Sequence, residues 1–121
     1  MSEVRLNAYH IMWLFVFFDL PVTSKTSMKK AALFRKGLEK DGFSMMQFSV
    51  YIRHCASRES MNVHIKRVKS ILPEEGKVSI LSVTDKQYGD IFNFWGKPRN
   101  GHKQSKIRKN SISEPIQLEL F

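Results

Sequence analysis

Eight consecutive apolar residues, Ile11-Met12-Trp13-Leu14-Phe15-Val16-Phe17-Phe18, stop abruptly at Asp19-Leu20-Pro21. No other stretch limits the fold as tightly. A membrane helix needs about 20 apolar residues, and a signal peptide would end in a small-residue cleavage site where this chain has Asp-Leu-Pro. The aromatic and β-branched content favours strand over helix, and Pro21 stops it. Because the run does not alternate with polar residues, the strand is expected to be buried on both faces.

The residues beyond Pro21 supply the layers around it. Thr23 and Ser24 can cap a helix over residues 25–41, with Gly42 as its C-terminal stop. At roughly 100° per residue, Met28, Ala31, Phe34 and Leu38 form its core face, while Lys25, Lys29, Lys36 and Lys40 gather on the opposite side. From Phe43 to His54 the pattern has period two: Met46, Phe48, Val50 and Ile52 point one way, and Met45, Gln47, Ser49, Tyr51 and Arg53 the other. Such a stretch is long for one strand, so it divides near residues 47–49 into two short strands with a tight or bulged connection. Ser57 caps a second helix over residues 58–72, with Met61, Ile65, Val68 and Leu72 inward and Pro73 at its end. Lys77–Thr84 reads as a strand, residues 85–90 as a turn, and Ile91–Trp95 as an additional short strand. The order β-α-β-β-α-β predicts an α+β, ferredoxin-like sandwich.

Charge narrows the function. The chain has 121 residues with 20 Lys+Arg against 11 Asp+Glu, a net charge of +9. An acidic partner is expected, nucleic acid ahead of anionic membrane, and enzymes acting on neutral small molecules are disfavoured. Residues 1–96 read as the ferredoxin-like domain, with 1–10 a short N-terminal extension. From Gly96 to Asn110 there are six Lys/Arg and no acid, so residues 97–121 read as a basic C-terminal tail. That tail ends in an alternating apolar string, Ile116, Leu118, Leu120 and Phe121, suited to a docking strand over 116–121. The single Cys55 cannot form an internal disulfide, and no zinc-ligand spacing exists, as expected of a cytoplasmic protein.

Asp19 is the foremost candidate for chemistry, because it follows a buried strand directly and is held by rigid backbone. Taken alone, it is better suited to a turn or helix cap before Pro21. Mg²⁺-assisted phosphodiester cleavage needs several converging oxygen ligands, so one Asp per chain serves only if a two-fold dimer brings two copies together. His10, His54, His64 and His102 lack metal-ligand spacing. His54 and Cys55 are adjacent, so on a strand they point to opposite faces and make no nucleophile–base pair. An RNA-recognition module shares the element order, but its glycine-bearing aromatic string is absent from Gln47-Phe48-Ser49-Val50-Tyr51.

These residues together resemble a known family. Phe15-Val16-Phe17-Phe18-Asp19-Leu20-Pro21 resembles the first strand and Asp of CRISPR-associated protein 2. Asp41-Gly42-Phe43 with Gln47-Phe48-Ser49-Val50-Tyr51 is similar to that family's Gly…Gln-x-Ser-Val-Phe/Tyr segment. Phe34-Arg35-Lys36 with Leu38, and Val83-Thr84-Asp85-Lys86-Gln87, resemble the subgroup that accompanies RNA-guided DNA-cleaving effectors, over roughly residues 11–96 in all. Many members have Glu after Ser-Val-Phe where this chain has Ile52 and Arg53, so the metal-site resemblance reaches only Asp19.

The resemblance implies a homodimer at the centre of a spacer-acquisition complex in the bacterial cytoplasm, flanked by two dimers of CRISPR-associated protein 1, the integrase. A duplex DNA prespacer would lie along it, held by its phosphates; the strand at Ile91–Trp95 would pair with the partner subunit, and the C-terminal segment would dock the integrase. Residues expected to grip phosphates are Lys25, Lys29, Lys36, Lys40, Arg53, Lys97, Arg99, Lys103, Lys106, Arg108 and Lys109. The alternative implied by the family is a Mg²⁺-dependent endonuclease or endoribonuclease with Asp19 as catalytic residue and metal ligand. A toxin-like RNA-cleaving protein shares the fold as a third class.

Overall fold

A computed structural model of the chain describes residues 11–97. The chain divides into two compact units between Gly89 and Asp90, ahead of Gly96, where the composition changes. In the first unit the order is β1 (Met12–Asp19), α1 (Lys25–Lys40), β2 (Ser44–Gln47), β3 (Val50–Cys55), α2 (Arg58–Ser70), β4 (Lys77–Thr84) and α3 (Asp85–Gly89). The four strands form one sheet in the order β2-β3-β1-β4, every neighbouring pair antiparallel. That is the ferredoxin-like arrangement, with the apolar run of β1 in an interior position.

The two faces of β1 differ. Met12, Leu14, Val16 and Phe18 enter the core with Phe34 and Leu38 of α1, Met61 and Val68 of α2, Phe43, Tyr51 and Cys55. Trp13, Phe15 and Phe17 lie on the face without the two long helices. Burial on both faces, as expected from the unbroken apolar run, is therefore only half met. Trp13 stacks on Tyr88 of α3 with centroids 3.8 Å apart and donates from Nε1 to Asp85 Oδ1 at 2.7 Å, whereas Phe17 stays 38% exposed and Leu81 of β4 49%. Among the described residues, this sheet face is left partly open and apolar.

Local chemistry sets the helix ends. Ser24 and Ser27 form a reciprocal capping box at the start of α1, each side chain accepting from the other's backbone N–H at 3.0 Å. At its far end the N–H groups of Gly42 and Phe43 donate to the carbonyls of Glu39 and Leu38, both at 3.0 Å. Gly42 takes φ +93° there, the left-handed residue that this helix stop requires. Phe43 and Leu38 meet in the core beneath it.

Several expectations need correction. Met28 lies on the rim of its helix and is exposed, as is Leu72, because α2 ends at Ser70. The stretch from Phe43 to His54 divides as expected, with a bulge between Met45 and Gln47 and a turn at Phe48–Ser49. Ser49 adopts φ +68° and Phe48 projects from the tip, so Tyr51 and Cys55 face the core. Residues 85–90, expected as a turn, begin with α3: Thr84 and Gln87 cap each other through a Gln87 Oε1 contact at 2.9 Å and a Thr84 Oγ1 contact at 3.1 Å. In the second unit, residues 90–97 carry neither helix nor strand. A strand exists only through a ladder with another strand, and among the described residues no strand pairs with Ile91–Trp95.

Candidate functional site

Asp19 is the last residue of β1 and is exposed on the open face, where the register places it directly opposite Lys77, the first residue of β4. Both flanks of this strand end are held. On one side Phe18 N–H donates to Ser49 O at 3.1 Å. On the other, Gly76 at φ +94° packs so closely that a Cβ there would lie 2.7 Å from the Asp19 carbonyl oxygen. The carboxylate therefore stands on backbone held from both sides, with a lysine at the opposed position of the neighbouring strand.

Asp19 is the one carboxylate to consider for metal at this strand end among the described residues. Among the described residues no group of three or more His, Cys, Asp or Glu converges to hold an ion. Mg²⁺ demands near-octahedral oxygen coordination and is normally held by one or two carboxylates plus substrate phosphates and waters. One carboxylate opposed in register by a lysine is a poor donor set for a divalent cation.

The lysines form the second feature. Lys25, Lys29, Lys36 and Lys40 are all exposed on α1, opposite Ala31, Phe34 and Leu38. At 1.5 Å per residue the row is about 22 Å long. Among the described residues none of the four is ion-paired, whereas Lys30 meets Glu74 at 3.5 Å. The first turn of α1 contains no acid, so the positive end of the helix dipole reinforces the row. Leu33, 62% exposed, stands among these cations. Arg35 lies over the Phe48 ring at 5.6 Å.

Arg53, expected to grip phosphate, also braces the fold. Its Nε donates to Asp41 O at 2.8 Å and its Nη1 to His54 O at 2.7 Å, tying β3 to the end of α1. Asp41 in turn binds α2 through its carboxylate: His64 Nδ1 lies 2.7 Å from Oδ2, and Arg67 Nη1 donates to Oδ1 at 3.0 Å. Lys97 is exposed in the second unit. Arg99, Lys103, Lys106, Arg108, Lys109 and the docking residues Ile116, Leu118, Leu120 and Phe121 lie outside the described residues, as do His10 and His102.

No nucleophile is primed elsewhere among the described residues. Burial pushes the Cys55 thiol pKa up, and the nearby Arg53 only partly opposes it. Tyr51 is raised first by burial and then by Glu39, and Tyr88 by burial and then by Asp85. His54 is exposed with its ring edge-on to Trp13, and His64 is buried against Asp41. No helix of the described residues is long and apolar enough to cross a membrane. The residues that sequence reasoning missed are Gly76 and Lys77; the ferredoxin-like order, which sets the start of its last strand beside the end of its first, was the available signal.

Comparison with known proteins gives a consistent result. The family described as CRISPR associated protein Cas2 matches residues 12–91. A CRISPR-associated endoribonuclease Cas2 of Flavobacterium psychrophilum is 49% identical over 118 residues, covering 97% of this chain and 94% of that protein. One from Parvibaculum lavamentivorans is 46% identical over 110 residues, covering 91% of this chain and 100% of its own length. A solved Cas2 crystal structure superposes with a TM-score of 0.50 at 20% identity, covering 84% of this chain and 99% of that one; at that identity it speaks for the fold alone.

Proposed function

The chain belongs to the CRISPR-associated Cas2 family, and on that premise we propose that it acts in spacer acquisition as a dimeric scaffold for duplex prespacer DNA. The observation that carries this reading is the row of four exposed lysines on α1, without acid partners among the described residues. Such a row neutralises phosphates and releases counterions without reading bases. The open sheet face supplies the second half. Two chains packed through Phe17 and Leu81 around a two-fold axis would bury this apolar surface and leave both lysine rows facing outward. In that dimer Ile91–Trp95 would gain the partner's sheet edge as a ladder. The tail lysines and arginines would extend the phosphate grip, and residues 116–121 would dock the integrase, CRISPR-associated protein 1.

The test is duplex binding against salt. Log affinity should fall linearly with log salt at a slope near −0.9 per phosphate contacted, and should change little between unrelated sequences. Replacing Lys29, Lys36 and Lys40 together by Ala should flatten the slope by about three per lysine row in contact and leave the dimer folded. A flat salt response in the native protein overturns the reading.

One observation favours a second activity. Asp19 shares the open face with Phe17, so pairing of two chains through that face would put a second carboxylate on the same side. Two Asp19 side chains could then share Mg²⁺, which would supply Lewis-acid polarisation of a phosphodiester. Asp19→Asn should abolish cleavage of RNA or duplex DNA while preserving binding. Full spacer integration by the Asp19→Asn protein would make cleavage dispensable to the scaffold.

A further inference from the structure

We infer that Lys77 is a phosphate-binding residue of the Asp19 site: its ammonium holds the phosphate that approaches the end of β1. The inference rests on the reading of the chain as a nucleic-acid scaffold and adds to it a contact far in sequence from the α1 lysines. Asp19 and Lys77 close the β1–β4 ladder as its terminal pair. Directly opposed residues of antiparallel strands share a face, with Cβ atoms about 4.5–5.5 Å apart. Both are exposed, yet no ion pair joins them. Two residues of opposite charge are thus opposed in register without an ion pair between them, which leaves the ammonium open to a third group.

The chemistry of the pair selects that group. A lone carboxylate would repel phosphate, and an ammonium opposite it cancels that repulsion and contributes donors for a non-bridging oxygen. The same ammonium offsets the charge that would draw a divalent cation, in line with the poor donor set found for metal. Gly76 fixes the arrangement. Only a residue without Cβ lets β4 begin this close to the Asp19 carbonyl, so Lys77 enters the ladder at the one position that faces Asp19.

The experiment uses full-length protein and a fluorescently labelled short DNA duplex, with binding followed by anisotropy in a chelator over a range of salt, so that neither metal nor cleavage is involved. Lys77→Met should weaken binding about three- to tenfold at about 100 mM salt and flatten the log–log slope by about one per protomer touching the duplex. Lys77→Arg should restore most of the affinity, and Asp19→Asn should tighten binding by removing the opposing charge. A Lys77→Met protein of native affinity and slope overturns the inference while the scaffold reading stands. So does one whose only change is thermal stability, the outcome for a cross-strand pair serving the sheet alone. A native protein that binds no duplex overturns both together.

Discussion

Replacing Gly76 by Ala probes how firmly the end of β1 is held. Alanine must adopt φ +94°, a left-handed conformation that costs an L-residue about 1–2 kcal/mol. Its methyl would also lie 2.7 Å from both the Asp19 carbonyl oxygen and Leu20 Cδ2, and 3.1 Å from Leu20 Cα. Two of these atoms are backbone, so the overlap is relieved only by shifting β4 against β1, an overpacking cost of about 1–3 kcal/mol. Reduced freedom of the unfolded chain returns about 0.4–1 kcal/mol. The net loss is roughly 2–4 kcal/mol, less than the about 5–15 kcal/mol that holds most domains folded.

Gly37→Ala is the informative comparison. Its added methyl also comes within 2.7 Å of an atom, but that atom is Cδ1 of Ile71, the tip of a side chain that is 37% exposed and free to turn outward. Alanine inside a helix gains about 1 kcal/mol over glycine, so Gly37→Ala should be neutral or slightly stabilising. Urea unfolding measures both. With a slope of about 1–2 kcal/mol per molar urea, Gly76→Ala should lower the midpoint by roughly 1–4 M, and Gly37→Ala should leave it in place or raise it. Equal effects from the two substitutions would refute the argument that backbone, not mere proximity, makes Gly76 irreplaceable.

Two further outcomes concern the interior. Asp41→Ala strips the acceptor from His64, which is 7% exposed, and should cost about 1–3 kcal/mol by leaving a buried polar group unsatisfied. Arg67→Ala removes a partner whose side chain is 61% exposed and should cost under about 1 kcal/mol in the same urea assay; equal losses would place the strength on the arginine instead. Tyr51, Cys55 and Tyr88 all hold their protons more tightly in the folded chain than their ordinary values of 10.0, 9.0 and 10.0. Unfolding therefore releases protons at high pH, and the stability they contribute is intact below about pH 9 and lost as pH rises beyond it. A melting-temperature series from about pH 8 to about pH 11 should show this decline, shallower in Tyr51→Phe; a flat native profile would contradict it.

The fold was legible because its signals are local and mutually consistent. The apolar run, the Ser24 and Ser57 caps, Gly42, Pro21 and Pro73 each mark an element end by a backbone property that needs no tertiary context. What misled were features whose meaning depends on a partner. Thr84-Asp85-Lys86-Gln87 is a capping-box sequence, yet the helix it opens is only five residues long. It is held by Trp13 from the other end of the chain, through the stack on Tyr88 and the bond to Asp85. Arg53 reads as a surface cation until the helix stop at Gly42 brings the Asp41 carbonyl within its reach.

The same dependence explains β1. An unbroken apolar run states that both faces are to be covered, but the described residues supply two long helices, and both pack on one face. On the other face Phe15 is buried beside Trp13, while Phe17 and Leu81 stay exposed. The sequence therefore encodes more burial than the described residues deliver. Asp19 stands at the edge of that uncovered surface, where neither a neighbouring carboxylate nor a buried pocket defines its role. Its chemistry is consequently set by what is brought to the face. Within the chain that is Lys77, distant in order and next to it in space. Read in sequence after Glu75 and Gly76, it is an ordinary lysine at the start of a strand; read across the ladder, it is the charge that decides whether Asp19 meets a cation or a phosphate.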